Sequence, residues 1–289
     1  MQRDNNKMKK DILQITDMLL LNGTLTECPG LVNGKIGVAI FFFHYAKYTN
    51  NSLFADYAME VIGEMMSQIH VNSPADYEKG IAGIGVGIDY LIRNSFLNVE
   101  DDICEDFDER MVRAVMYDPW QDFSQYNGLT GYGRYWVARL QYPGALVQAR
   151  QCLLRIIALI EENLSDISIM EQSDVFYFLY DLQRLPGFDH CTELLKQIQI
   201  EWDLKSSEIL HSFFRLGNST VSNIVRHFHH NRYLKGFLQD EFKLNLVPIP
   251  ILSLDVAPTS MGLLNGYAGE GMLRLTSLEQ INTAWMQLL

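Results

Sequence analysis

Val-Asn-Gly-Lys-Ile-Gly at Val32–Gly37 returns as Glu-Lys-Gly-Ile-Ala-Gly at Glu78–Gly83, as Tyr-Asn-Gly-Leu-Thr-Gly at Tyr126–Gly131 and as Leu-Asn-Gly-Tyr-Ala-Gly at Leu264–Gly269. The first glycines stand at 34, 80, 128 and 266, so the gaps are 46, 48 and 138, and 138 is three times 46. The long gap leaves room for two further copies near 174 and 220. A fixed period of this size is the signature of a repeat built from helix pairs. Each phrase opens an apolar run: Val38–Ala46, Ile84–Ile92, Tyr132–Leu140 and Glu270–Leu275. A phosphate loop also places glycines before a helix, but it needs a preceding strand and occurs once. Recurrence without strands favours glycines that let backbone approach closely.

Between the phrases lie one-sided helices. Met8, Ile12, Ile15 and Leu19 recur at helical spacing up to Asn22-Gly23, and Phe54, Ala58, Val61 and Met65 do so after the break at Asn50-Asn51. Ile103, Phe107, Met111 and Ala114 form the next, with an acidic outer face predicted from Glu100 to Glu109. Leu146, Leu153, Ile156 and Ile160, and then Leu194, Ile198 and Trp202, continue the series, with a shorter helix expected at 233–242. Near 174 the phrase erodes to Gln172-Ser173-Asp174-Val175, and near 220 to Arg215-Leu216-Gly217-Asn218-Ser219-Thr220. Pro248, Pro250 and Pro258 mark a long loop before the last copy.

The expectation is all-α: a single domain over 1–289 of about six helix pairs, an (α/α) toroid, with glycine-led helices at about 34–48, 80–93, 128–140, 173–184, 217–230 and 266–276. Closure into a ring is favoured because an open solenoid would leave one face of all-round apolar helices in water. Gly83, Gly131 and Gly269 are expected where neighbouring glycine-led helices meet.

At 289 residues and 48% hydrophobic, the chain can bury a large core. A net charge of −12 argues against nucleic acid and for a basic or neutral ligand, although acidity also serves solubility. Asp11 and Asp17 interrupt the stretch after the basic N-terminus, so no signal-peptide core is expected. No apolar run approaches the roughly 20 residues of a membrane helix. The expected location is cytoplasmic, without membrane insertion. Cys28, Cys104, Cys152 and Cys191 lie far apart, as neither a zinc ribbon nor a disulfide framework would have them.

The phrases Asp76-Tyr-Glu-Lys-Gly80-Ile-Ala-Gly83, Asn127-Gly128-Leu-Thr-Gly131 and Met261-Gly262-Leu-Leu-Asn-Gly266-Tyr-Ala-Gly269, with Leu273-Arg274-Leu275 and the closing Trp285–Leu289, resemble the lanthionine synthetase C-like family over most of the chain. That resemblance implies an (α/α) toroid, usually of seven pairs, in the biosynthesis of lanthipeptide-type modified peptides by bacteria. It also implies a zinc ion held by two cysteines and a histidine, which activates a peptide thiol for thioether formation. Asp76 matches the family's aspartate as the catalytic candidate. Asn127 stands where the family has histidine, and an amide cannot exchange a proton at neutral pH. The ligand positions fall on Ser173 or its neighbours for one cysteine, on Arg215 for the other and on Leu216 for the histidine, and an arginine repels a divalent cation.

The resemblance therefore implies a zinc-free homologue, with no metal site and no cofactor, binding a peptide substrate or a modifying-enzyme partner. An active zinc-dependent cyclase is the first alternative. Asp118-Pro119-Trp120-Gln121-Asp122 resembles the carboxylates and aromatic of six-hairpin sugar-cleaving enzymes, the second alternative, though a helix stop and surface loop explain it too.

Asp76 is either an acid/base remnant or a cap. Asn127 and Glu270 are cavity and substrate-binding candidates; Glu270 either lines a wet cavity or makes a buried hydrogen bond. His227 and His230 share a helix face at i, i+3 with His229 between them, as metal ligands or as exposed or core histidines.

Overall fold

The computed structural model describes residues 2–70, 72–98, 102–204, 219–234 and 260–289, without side chains at 2–4, 201–204, 230 and 234. The described residues are helical and contain no strand. They gather into two compact units, one of residues 1–70, 93–96 and 216–289 and one of 71–92 and 97–215, where the sequence suggested one domain. In the first unit lie α1 (Gln2–Asn22), α2 (Lys35–Thr49), α3 (Leu53–Ser67), α10 (Thr220–His229), α11 (Tyr267–Ser277) and a closing 3-10 helix (Thr283–Leu288). The second holds α4 (Ile81–Arg93, but for its last residue), α5 (Glu105–Met116), α6 (Leu129–Arg139), α7 (Leu146–Asn163), α8 (Ile169–Leu182) and α9 (Cys191–Leu204). No helix among the described residues is long and apolar enough to cross a membrane.

The two kinds of helix read from the sequence are both present. Every residue of α2 from Lys35 to Ala46 is buried, whereas α3 buries only Ala58, Val61, Ile62 and Met65. Burying a phenylalanine such as Phe41 or Phe42 contributes about 1.5–3 kcal/mol. Asn50 ends α2 in the left-handed conformation at φ 53°, its amide donating to Ala46 O, the usual work of asparagine or glycine at a helix end. Glycine-led helices pack on the one-sided helices that follow them: α2 on α3, α6 on α7, α8 on α9. The final glycine-led helix, α11, instead packs on α1 and α2, so one pair is assembled from the two ends of the chain.

The reason for the glycines emerges at the helix starts. Gly34, Gly128 and Gly266 are N-caps in extended backbone at φ −134°, −118° and −137°, which any residue can adopt, and no side chain caps these helices. The preceding loop folds back instead. Its carbonyl seven positions upstream accepts the first helical amide in each copy: Lys35 N to Cys28 O at 2.9 Å, Ile81 N to Pro74 O at 2.9 Å, Leu129 N to Asp122 O at 2.8 Å and Tyr267 N to Ser260 O at 3.1 Å. A Cβ on Gly34, Gly80 or Gly128 would strike that same carbonyl, so close approach, not backbone angle, demands glycine.

The second glycines are buried, as expected, but Gly131 and Gly269 are pressed first by their own loops, at Gln125 O and Leu263 O. Neighbouring helices come closest two residues later. A Cβ on Gly85 would meet the Tyr135 ring of α6, one on Gly133 the Phe178 ring of α8, and one on Gly271 the Phe41 ring of α2.

Loops of successive phrases are also stitched together. Tyr77 N and Glu78 N both donate to Tyr126 O, at 2.9 and 3.0 Å, and Leu263 N and Leu264 N both donate to Val32 O, at 2.8 and 3.0 Å. The last phrase thus bonds to the first in the register by which the second bonds to the third. The second glycines make room for this joint. A Cβ on Gly131 would stand 2.7 Å from Tyr77 Cβ, and one on Gly37 would stand 2.9 Å from Leu263 Cγ.

Several expectations are revised. The fourth glycine-led helix starts at Ile169, a turn before 173, because Ser168 and Glu171 form a reciprocal capping box that replaces the glycine loop. The acidic face of α5 is not wholly external. Glu105, Asp106 and Glu109 are exposed, but Asp108 is buried against Arg139 and Tyr135. Tyr233 lies in a π turn (His230–Leu234) that prolongs α10 instead of opening a new helix. The remainder of the helix expected at 233–242, the start expected at 217 and the prolines at 248, 250 and 258 lie outside the described residues.

Candidate functional site

The helix starts of the second unit carry a group of polar side chains. Glu171 Oε1 accepts Phe123 N at 3.0 Å and Asp174 Oδ2 accepts Gln125 N at 2.8 Å. These two carboxylates of α8 join the eroded fourth copy to the loop of the third, where the intact copies use a carbonyl. Asp174 is half-buried, and desolvation pushes its carboxyl up to about 6; the Gln125 amide and Arg134 counter this, while Asp122 and Glu171 add to it. Arg134 of α6 lies over the buried Tyr77 ring at 5.8 Å. Tyr126 and Tyr77, both desolvated, have hydroxyls raised well above the ordinary phenol. Next to this group, burial pushes Tyr132 up to about 12. Asp76, Asp122 and Asp118 reinforce that shift and Arg110 opposes it.

A carboxyl that changes charge near neutral pH, beside phenols and one guanidinium, can exchange a proton or hold a cationic or hydrogen-bonding ligand. Asp174 and Glu171 were not singled out from the sequence as site residues, although the eroded copy pointed at their position.

Asp76 Oδ1 accepts Lys79 N at 2.7 Å inside the second phrase, two residues before α4 begins. Asn127 is exposed in the third, with its backbone N donating to Ser124 Oγ at 3.4 Å. Asp122 Oδ1 accepts Ser124 N at 2.7 Å, while Asp118 and Trp120 are exposed. Glu270 is 1% exposed and belongs to the other unit, where its Oε2 accepts Arg274 Nη1 at 2.6 Å. Arg274 is fully buried and stands 3.5 Å from Asp11 of α1. Of the two roles open to Glu270, the structure shows the buried hydrogen bond. His229 is buried and stacks on Tyr233 at 5.7 Å, His227 is half-buried, and the His230 side chain lies outside the described residues.

Of the positions that match the family's zinc ligands, the one among the described residues carries a hydroxyl and no thiol or imidazole. Ser173 Oγ donates to Met170 O within its own helix, and Arg215 and Leu216 lie outside the described residues. Cys104 is the N-cap residue of α5, Cys152 lies within α7 and Cys191 is the first residue of α9. Burial pushes their thiols up to about 12, 12 and 11, the reverse of what a metal-bound thiolate requires. Among the described residues no three His, Cys, Asp or Glu side chains gather as metal ligands would.

A second locus lies between the start of α5, the end of α6 and the start of α7: a cleft of about 620 Å³ lined by Asp102, Glu105, Arg139, Tyr142 and Gln148, among others. Asp102 grips Arg139 with both oxygens, at 2.8 and 2.5 Å, and Asp108 Oδ2 accepts from the same guanidinium at 2.6 Å. Burial opposes the charge of Arg139, and the two carboxylates outweigh it. This guanidinium is consumed by structure and does not serve as an anion hook. No protein-family model, curated protein or solved structure matches the chain.

Proposed function

We propose that the chain is a lanthionine synthetase C-like (α/α) toroid that binds a peptide, or the enzyme modifying it, in cytoplasmic lanthipeptide-type biosynthesis, without zinc and without forming thioethers. The reading of a closed ring rests on one observation: the sixth phrase bonds to the first, Leu263 and Leu264 to Val32, in the register of the second with the third. The Phe41–Gly271 packing repeats the Tyr135–Gly85 packing and supports the same closure. The donor set supports binding without cyclisation. The helix starts offer carboxylates and phenols, and three of the four thiols are buried and held protonated.

A fluorescent Cys/Ser/Thr-rich peptide bearing dehydroalanine, incubated with the protein and equimolar zinc, tests this. Anisotropy reads binding, and mass spectrometry after maleimide treatment reads whether the peptide thiol survives. The expected result is binding with the thiol still alkylated. Loss of the thiol restores the cyclase, and absence of binding removes the peptide reading.

A further inference from the structure

In the loop leaving α5 two aromatic rings are exposed, whereas the other aromatics of this unit whose side chains are described are buried or half-buried. Tyr117 is 80% exposed, Trp120 61% and Met116 40%, with exposed Asp118 between the two rings in sequence. Exposed aromatics grouped in this way mark interaction sites more often than chance placement would. The same loop carries Asp122, and the negative charges of Asp76, Asp118 and Asp122 act on Tyr132 against the positive charge of Arg110. Asp76 and Asp122 each accept one backbone amide, from Lys79 and from Ser124, which leaves further acceptor positions on each carboxylate.

An aromatic face beside carboxylates is the chemistry that selects a cation. The ring quadrupole attracts ammonium and guanidinium groups, and a carboxylate orients them through charge-assisted bonds. A second copy of this chain would bring the same net charge of −12 to an already acidic loop, so self-association is disfavoured.

We propose that the Tyr117–Asp122 loop captures a lysine- or arginine-bearing segment of an extended peptide, the cation seated on Trp120 or Tyr117 beside Asp118. This rests on the peptide-binding reading above and adds the charge of the segment and the residues that hold it.

The probe is a fluorescein-labelled nonapeptide of alternating arginine and serine, titrated by anisotropy at moderate salt against its glutamate counterpart. The expected results are binding of the arginine peptide alone, a five- to tenfold weaker Kd for Trp120→Ala and for Asp118→Asn, and an unchanged Kd for Asp166→Asn, which removes an exposed charge elsewhere. Thermal melts check that the variants are folded. If the arginine peptide binds but both loop variants match the parent, this surface is wrong while peptide binding survives. If Asp166→Asn weakens binding equally, the attraction is unspecific and the proposal falls. If neither this probe nor the Cys/Ser/Thr-rich peptide binds, both readings fall together.

Discussion

The ring of Phe41, from the first glycine-led helix, occupies the space that a Cβ on Gly271, in the last, would need. Gly271→Leu must displace that ring or shift α11, and overpacking of this kind costs about 1–3 kcal/mol. Gly133→Leu, against Phe178, is expected to cost about the same. Gly63, mid-way along α3 with nothing within 4 Å of its absent Cβ, is the control. Gly63→Ala is expected to stabilise by about 1 kcal/mol through helix propensity. Urea denaturation of the three variants checks the order, and a Gly271→Leu protein as stable as the parent would refute the packing.

Glu270 and Arg274 form an ion pair with almost no access to water. Glu270→Ala removes the carboxylate that accepts from Arg274 Nη1 at 2.6 Å, and breaking a buried pair costs roughly 3–5 kcal/mol. The double change Glu270→Ala with Arg274→Met is expected to cost clearly less than the single one. A double variant at least as unstable as Glu270→Ala would show that the pair carries little.

Asp108 is the buried partner of Arg139 and accepts from Tyr135 Oη at 2.5 Å. Asp108→Ala removes two anchors from the guanidinium and is expected to lower stability by roughly 3 kcal/mol or more. Glu105→Ala, an exposed acid on the same helix, should change it by less than about 0.5 kcal/mol. Equal melting temperatures for the two variants would contradict the inward position of Asp108.

Asp174 and His44 pull stability in opposite directions with pH. The folded Asp174 titrates near 6 instead of 3.8, so between those values the folded chain holds a proton that the unfolded chain has lost. Its contribution therefore falls as pH rises from about 4 to about 6. His44 is buried beside Phe96 and near Lys47, and its pKa is lowered to about 4, first by burial. The unfolded chain takes that proton first, so this contribution falls as pH drops from about 6.5 to about 4. Asp174→Asn should make stability rise more steeply with pH across this window, and His44→Gln should flatten it. Urea midpoints at pH 4.5, 5.5 and 6.5 decide, and parallel profiles for all three proteins would sink both assignments.

The repeat was legible because its cause is steric. A carbonyl pressed against a helix start excludes every side chain, and only glycine records that in the sequence. The same logic hid the contacts at Gly85, Gly133 and Gly271, since the ring that demands each glycine comes from another repeat. The start of α8 was legible in principle, as Ser168 and Glu171 have capping-box spacing, but the eye follows glycines. Asp108 was not legible. It stands among Glu105, Asp106 and Glu109, and nothing local distinguishes the one acid whose partner lies on α6. Glu270 stood four residues before Arg274, a pairing visible in sequence, whereas burial of both could only be seen in three dimensions.

The sharing of one helix pair between α1 and α11 bears on the order in which the chain can be made and folded. At roughly 5–20 residues per second, on the order of ten to fifty seconds separate synthesis of α2 from synthesis of the helix that covers Phe41. During that interval Ile15, which also lies against Gly271, and the apolar wall of α2 await their partner. The unit drawn mainly from the middle of the chain has no such wait, because α6 finds α7 and α8 finds α9 within a few tens of residues. Unfinished chains are therefore exposed to misassembly at their oldest helices, not at their newest.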